Sequence, residues 1–590
     1  MILFSKKLLL PILTVLFSLN TTAQELTILH TNDMHSKLTG YGPENAYTPE
    51  ILDNDKTLGG FARLAALFEQ EKRKNKDATL ILDAGDFLMG SLFHVAEKET
   101  GFQTSLMKEI GYDFITLGNH EFDFGPEVLA QILNKAEENG GYPDIVSANI
   151  VFDKTSETDD ALEKIYEKGK IRHFAIINKN GLKIAIFGLT GEDASDVAPA
   201  KTPVIFTDPI KTAKETVKML KEEYSPDLII CLSHCGFKHT KNNTSYEGED
   251  IDLAEKVPDI DIIISGHTHV ATPKAIKKGN TYIVQTGEYA MNTGKINLKA
   301  ENGKISKFDF KLIPVNDDIK GDLNIHKKIE AQKEYIDKKY LSKINLSYNT
   351  KSAYADFDLK KDKGGNLGPF TADADKFYLE KNGVSIDFSM VASGTIRENI
   401  LKGIQTVPDA FRVMSLGQGY DGIPGYPLAK VYVTAKEIKK LSEIIIMSRP
   451  EGGDGYLYVS GLKIYYNPDK MMLRKVRKIE LNGKELDFSK KNKNLYSIAA
   501  DTYLLGFIGR IKKMSHGLIT VIPKDKNGNP VTNMKNQIID INPDKAGIQE
   551  AKEWIALIEY MKSFAEDNKN LPHIPDKYKR GDESSVIIKD

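Results

Sequence analysis

Five short polar clusters carry the residue types that bind metal ions: Asp33-Met34-His35, Gly85-Asp86, Gly118-Asn119-His120-Glu121, Ser233-His234 and Gly266-His267-Thr268-His269. Together they hold two Asp, one Asn and five of the chain's twelve histidines. That is more nitrogen and oxygen donors than one ion needs. They suit two divalent ions sharing a carboxylate, the arrangement that hydrolyses phosphate esters.

The spacing within each cluster has a physical reading. Asp33 and His35, two residues apart at the end of an extended run, leave the chain on the same side. A carboxylate and an imidazole are good donors to a hard-to-borderline divalent ion. Asp86 follows Gly85, which permits close backbone approach, and a carboxylate there can bridge two ions. Asn119 can bind metal through its amide oxygen. His120 need not be a ligand: with Asp123 three residues on, it can be held as an imidazolium by a carboxylate on the same turn. Such a group stabilises charge on phosphoryl oxygens and protonates a leaving alkoxide. His234, His267 and His269 complete the donor set.

These clusters need elements to place them. From Leu26 to about Val315, buried-strand runs (Leu26–Leu29, Thr79–Leu82, Phe114–Leu117, Ile145–Ala148, Ile184–Gly188, Leu228–Leu232, Ile260–Ile264 and Tyr282–Gln285) are interspersed with helical patterns. The helices include Gly60–Glu71, Glu127–Glu138 and Thr212–Glu223. This alternation predicts an α/β layered domain over 25–317, with all five clusters at strand ends, where ligands of such folds collect. A Lys/Glu-rich helix over 318–347 links it to a second domain over 348–567. There the pattern predicts strands Lys430–Thr434, Leu457–Tyr466 and Tyr496–Ala500, and helices Pro369–Lys381, Ala435–Met447 and Ala546–Ser563. Pro369 suits a first helical turn, where a missing N–H costs nothing. The charged tail over 568–590 reads as loosely ordered.

Composition narrows the function classes. With 41% hydrophobic and 27% charged residues, the chain reads as a soluble globular protein, and a net charge of −2 carries no footprint for nucleic acid. Lys6 and Lys7, the apolar run Leu8–Phe17 and Thr21-Thr22-Ala23 read as a signal peptide over 1–23. The apolar run is too short to span a bilayer, and no lipobox cysteine follows it. A periplasmic or secreted monomer without stable membrane insertion is therefore expected. Cys231 and Cys235 read as two buried thiols, because a bridge between them would distort the turn that presents His234.

The ordered set Asp-x-His, Gly-Asp, Gly-Asn-His-Glu, His, Gly-His-x-His resembles the calcineurin-like metallophosphoesterases. Ile28 to His35, then Gly59-Gly60-Phe61-Ala62-Arg63, then Gly118 to Gly125 resemble their exported 5′-nucleotidase branch, whose first domain is a four-layer β-sandwich flanked by helices. The resemblance implies one ion on Asp33, His35, Asp86 and His269, and another on Asp86, Asn119, His234 and His267. It further implies attack by a hydroxide between the ions, with His120 supporting the transition state and Asp123 orienting it. Mixed N/O donors suit Mn, Zn, Co or Fe. The implied substrate is a nucleoside 5′-phosphate; a UDP-sugar, a 2′,3′-cyclic nucleotide or a general phosphate ester is the alternative. A catalytically silent ligand-binding homologue is a third reading, disfavoured by the intact donor set.

The second domain should select the substrate. Gly365-Asn366-Leu367-Gly368 with Ala372-Asp373-Ala374 resembles the branch's helix start. Ser393-Gly394-Thr395-Ile396-Arg397 resembles its Gly-Gly-Ile-Arg segment, which makes Arg397 a candidate phosphate-binding residue. Tyr456, ahead of Val459-Ser460-Gly461, and Tyr503 match the two rings that sandwich a base in the branch. The branch's Gly-Gly-Asp-Gly loop is missing after Tyr503, and its Pro-Phe-Gly segment is altered to Ser415-Leu416-Gly417.

Overall fold

The computed structural model describes residues 23–588 except 302, 363, 449–455, 472, 490, 507–519, 567–570 and 581–585. The signal-peptide expectation falls on 1–22, outside the described residues. Strand β1 (Gln24–Thr31) pairs in parallel with β2 (Thr79–Asp83), which continues through β3 (Phe114–Ile115) and β4 (Asp144–Val146). A second sheet sets β5 (Leu182–Thr190), β6 (Leu228–His234), β7 (Ile262–Ser265) and β8 (Thr281–Val284) parallel to one another.

Period-two alternation decides how the sheets stack. Leu26, Ile28, Leu80 and Leu82 from the first sheet meet Ile184, Ile186, Leu228, Ile230, Leu232, Ile262 and Ile264 from the second in one buried core. The opposite face of the second sheet, with Phe187, Leu189, Ile229, Cys231 and Ile263, is covered by apolar residues of the helices Pro209–Met219 and Glu249–Lys256. Leu29 and Ile81 on the first sheet's outer face lie in the cluster built by helices such as Phe61–Lys74 and Leu92–Thr100. Two sheets flanked by helices form the four-layer α/β architecture. Because the strands are parallel, their C-terminal ends converge, and the chain turns there bring the clusters to one edge.

The helix Leu323–Lys339 begins where the Asp322 carboxylate accepts the N–H groups of Asn324 and Ile325. Its residues Ile325, Ile329 and Ile336 are buried, so this linker is packed along its length.

The second domain departs from the sequence reading in three places. Leu457–Tyr466 is two strands, Leu457–Ser460 and Leu462–Tyr466, in different sheets. Gly461, at φ +95°, turns the chain between them, where a Cβ would lie 2.7 Å from the Asp387 carbonyl oxygen. The last helix is Glu553–Met561 and not Ala546–Ser563. Gly547 takes φ +85° and Ala551 N–H bonds to the Ile539 carbonyl, so extended pairing overrides helix propensity there. The tail is docked rather than loose over 571–580: Ile574 is buried, and Tyr578 OH donates to Asp373 at 2.6 Å. Its end, Val586–Ile588, runs parallel to Leu462–Tyr466.

Candidate active site

Each parallel strand end delivers part of the site. Asp33 and His35 follow β1, Asp86 follows β2, Asn119 and His120 follow β3, His234 ends β6, and His267 and His269 follow β7. The loops are tied by backbone bonds, Asp33 N–H to Gly85 O at 2.9 Å and His35 N–H to Asp86 O at 3.0 Å. Asp33, His35, Asp86, His267 and His269 all have positive φ, between 49° and 73°. For side chains carrying a Cβ this costs on the order of 1 kcal/mol each. The strain lies on the donor residues, where it turns their side chains inward.

The donor atoms lie close together. Ligand atoms of Asp33, His35 and His269 fall within 4.8 Å of one another, as do those of Asp86, His234 and His267, and those of His35, Asp86 and His120. Hydrogen-bond chemistry shows what the cluster fits. His234 Nδ1 lies 2.8 Å from the Ala84 carbonyl oxygen and therefore carries a proton, while Nε2 faces Asp86 Oδ2 at 3.0 Å and Asn119 Oδ1 at 3.3 Å. His267 directs Nε2 to Asp193 at 2.9 Å and Nδ1 to Asn119 Oδ1 at 3.1 Å. His269 Nδ1 contacts the Glu288 carboxylate, and its Nε2 faces His35 Nε2 at 3.0 Å and Asp33 Oδ1 at 3.5 Å.

With neutral imidazoles, lone pairs would point at lone pairs in two adjoining places. Donors on one divalent ion, each bound at about 2.0–2.2 Å, stand about 3 Å apart, and these residues fit such ions. The electrostatics agree. Burial pulls His234 down, but the Asp86 carboxylate outweighs it and raises the imidazole to about 10. Burial likewise opposes His269, which Glu288 and Asp33 raise to about 9. Burial pushes Asp86 up, yet His234 and His120 hold it well below the carboxylate range. The carboxylates of the site thus favour positive charge beside them.

His120 stands apart from the other histidines. Its Nδ1 meets Asp123 Oδ2 at 2.9 Å, and its Nε2 meets the Arg397 guanidinium at 3.4 Å. Arg397 comes from the second domain, so the two domains close over the site. Behind it lies a buried ionic cluster across the domain junction. Lys37 pairs with Glu398, and Arg412 contacts Glu44 at 2.6 Å, Asp409 at 2.7 Å and Glu398 at 3.3 Å.

The two tyrosines behave differently from each other. Tyr456 is buried at 3% exposure with its ring against Tyr458, so no base reaches its face in this arrangement. Tyr503 is 46% exposed, on helical backbone over 502–506, and the ring laid against it is Tyr426. Part of the loop after Tyr503 falls in 507–519, outside the described residues.

Several supporting residues were missed from sequence. Glu288 orients His269 and Asp193 orients His267, the partners that set a ligating imidazole's tautomer. Both follow strands just as the clusters do, so the same strand-end signal marks them. Glu121, inside a cluster, accepts the N–H groups of Asp86, Leu88 and Gly118 at 3.0, 3.0 and 2.6 Å. Lys37 and Tyr426 carry no such signal.

Comparison with known proteins agrees with this geometry. Residues 26–271 match the calcineurin-like phosphoesterase family and residues 346–514 match the 5′-nucleotidase C-terminal domain. The chain is thus a calcineurin-like metallophosphoesterase, a metal-dependent phosphoester hydrolase, and it belongs to the 5′-nucleotidase family within that class. It is 28% identical over 489 residues to the 5′-nucleotidase of Vibrio parahaemolyticus, covering 76% of this chain and 80% of that one. It is also 28% identical over 492 residues to the trifunctional nucleotide phosphoesterase YfkN of Bacillus subtilis, covering 78% of this chain but spanning only 30% of that protein. The 5′-nucleotidase precursor of Thermus thermophilus shares the fold, with a TM-score of 0.67 at 21% identity over 96% of this chain and 99% of that one. Among the described residues, no helix is long and apolar enough to cross a membrane.

Proposed function

We propose that the chain is an exported phosphohydrolase that holds two divalent ions and releases phosphate from nucleoside 5′-phosphates. One observation carries the reading: ligand atoms of Asp33, His35 and His269 lie within 4.8 Å of one another, as do those of Asp86, His234 and His267, and His35 also lies that close to Asp86. One ion would rest on Asp33, His35, Asp86 and His269, the other on Asp86, Asn119, His234 and His267. When bound, the ions supply Lewis-acid polarisation of the phosphoryl oxygens and lower the pKa of the attacking water.

The protein's own groups do the rest. Arg397, which meets His120 across the domain junction, binds and orients the phosphoryl oxygens with its planar fork of donors. Asp123 fixes the His120 ring through Nδ1, and Nε2, which faces Arg397 here, would serve as the proton donor to the leaving oxygen once Arg397 turns to the phosphate. Burial of Asp33, His35, Asp86, Asn119 and His234 keeps bulk water from competing for the phosphate. The nucleotide assignment follows from the similarity to the Vibrio 5′-nucleotidase and the Bacillus nucleotide phosphoesterase.

The test is hydrolysis by protein reconstituted separately with Mn, Zn, Co and Fe, on AMP, UMP, UDP-glucose, 2′,3′-cyclic AMP and bis-p-nitrophenyl phosphate. Preference for AMP and UMP is expected. Preference for UDP-glucose or the diesters would reassign the substrate and keep the chemistry. Metal-loaded protein inert on every ester would point to a silent binding protein.

A further inference from the structure

Consecutive residues of the second domain, Arg397-Glu398-Asn399, are each held by a different side chain of the first. The Tyr289 hydroxyl donates to the Arg397 carbonyl oxygen at 3.1 Å, Lys37 pairs with Glu398, and Asn399 Nδ2 donates to the Tyr41 hydroxyl at 3.3 Å. The first-domain groups also touch one another. The rings of Tyr41 and Tyr289 stack with centroids 5.7 Å apart and planes inclined by 13°, and the Lys37 ammonium lies 4.9 Å from the Tyr289 centroid. Tyr289 is the centre of this dock, and it is buried.

The other side of Tyr289 is fixed by the donor cluster. Its backbone N–H bonds to the Asp33 carbonyl at 2.8 Å, and its neighbour Glu288 contacts His269. The ring meets His35 and His269 edge-on, with centroids 5.8 and 6.2 Å away. Tyr289 has φ +60°, a left-handed conformation that a residue with a Cβ keeps only where its surroundings impose it. Gly59 packs against its backbone so closely that a Cβ there would lie 2.7 Å from the Tyr289 carbonyl oxygen. The loops that place the proposed metal ligands therefore also place Tyr289.

Arg397 needs such a support, because its guanidinium reaches His120 Nε2 at 3.4 Å from the end of a long side chain with many rotamers. Its N–H bonds to the Val413 carbonyl at 2.8 Å, and its carbonyl also accepts Lys361 Nζ at 3.0 Å. Both partners belong to the second domain, so they fix Arg397 within that domain alone. Among the described residues, Tyr289 supplies the bond that ties the Arg397 backbone to the domain carrying the metal ligands. A carbonyl oxygen can only accept, so the phenol is the donor.

We propose that Tyr289 is a positioning residue: by holding the Arg397 carbonyl, it sets the guanidinium against the phosphoryl oxygens of a bound ester. The inference rests on the phosphate-binding role of Arg397 proposed above and deepens it by naming the group that registers this arginine on the donor cluster. One neutral hydrogen bond of this kind is worth about 3–10-fold in an equilibrium, which sets the size of the expected effect.

The experiment measures the Kd of inorganic phosphate by calorimetry for Mn-loaded wild type, Tyr289→Phe, Arg397→Ala and the double variant, with bound Mn counted by plasma mass spectrometry. Phosphate is the probe, so the identity of the ester substrate does not bear on the result. Arg397→Ala should weaken phosphate binding at least about tenfold, and Tyr289→Phe about 3–10-fold with Mn content unchanged. In the Arg397→Ala background, Tyr289→Phe should change the Kd by less than about twofold, because the hydroxyl acts through the arginine. An effect that persists in full in that background overturns the proposal, since Tyr289 would then act on phosphate by itself. Loss of Mn from Tyr289→Phe overturns it too, because the residue would then serve the metal ligands. Wild-type affinity in Tyr289→Phe beside a weakened Arg397→Ala sinks the proposal and leaves the phosphate role of Arg397 standing. Wild-type affinity in both single variants removes both.

Discussion

Replacing Gly118 with alanine tests whether the donor cluster exists to hold ions. An added Cβ would lie 2.2 Å from Asp86 Oδ1, 2.7 Å from His234 Nε2 and 2.8 Å from Asp86 N. Gly118 does not have positive φ, so the substitution brings no backbone strain and its effect is steric. Carbon needs more than about 3 Å from oxygen, so the Asp86 carboxylate must retreat by about 1 Å. Metal sites hold ligand distances to within about 0.2 Å, and Asp86 is the donor common to both proposed ions. Loss of one supporting group typically weakens metal binding about 10–100-fold. Displacing a shared ligand together with His234 should reach the upper end, about 100-fold or about 2.7 kcal/mol. Metal content after dialysis, measured by plasma mass spectrometry, and Mn titration by calorimetry read this directly, with circular dichroism confirming the fold. A folded Gly118→Ala protein that retains two ions at close to wild-type affinity would refute the reasoning.

Other expectations follow from the same geometry. His120→Ala should keep its metal content and lose about 10²–10⁴ in kcat, since it removes a proton-transfer group and no ligand; wild-type turnover would exclude His120 from the mechanism. Lys37→Met and Glu398→Gln, each breaking a buried interdomain pair, should cost about 3–5 kcal/mol apiece. Their combination should cost less than the sum by about 1–3 kcal/mol in urea unfolding followed by the fluorescence of Trp554, the chain's single tryptophan; strict additivity would mean that the pair is not coupled. Burial raises Asp250 to about 7 despite the hydroxyls of Ser233 and Ser265 and the N–H of Gly236 that it accepts. The unfolded chain releases that proton near pH 4 and the folded chain keeps it to about 7, so this contribution favours folding at the acid end. It falls by up to about 1.4 kcal/mol per pH unit as pH rises through that window. Asp250→Asn should flatten the decline in urea midpoint between pH 4.5 and 7.5; the same slope in both proteins would show that Asp250 titrates normally.

The strand ends were legible because parallel, doubly covered strands read as short apolar runs, and polar residues directly after such runs have few other places to go. Asp33, His35, Asp86, Asn119, His120, His234, His267 and His269 could therefore be named from spacing alone, and so could the pairing of His120 with Asp123. Glu288 and Asp193 were within reach of the same rule, but a single carboxylate after a strand is too common to stand out. Where local preference competed with a tertiary contact, the sequence misled: residues 549–552 pair as extended chain despite a helical pattern, and the charged tail carries Ile574 and Tyr578 into the second domain.

The sequence by itself determined the reaction chemistry, because donor types and their order along the chain are local properties. Only the tertiary structure decided which groups meet across hundreds of residues. Arg397 lies at His120 and Lys37 at Glu398 because the second domain closes over strand ends of the first. Such contacts arise from the shape and charge of the domain junction, and no periodicity in either segment encodes them.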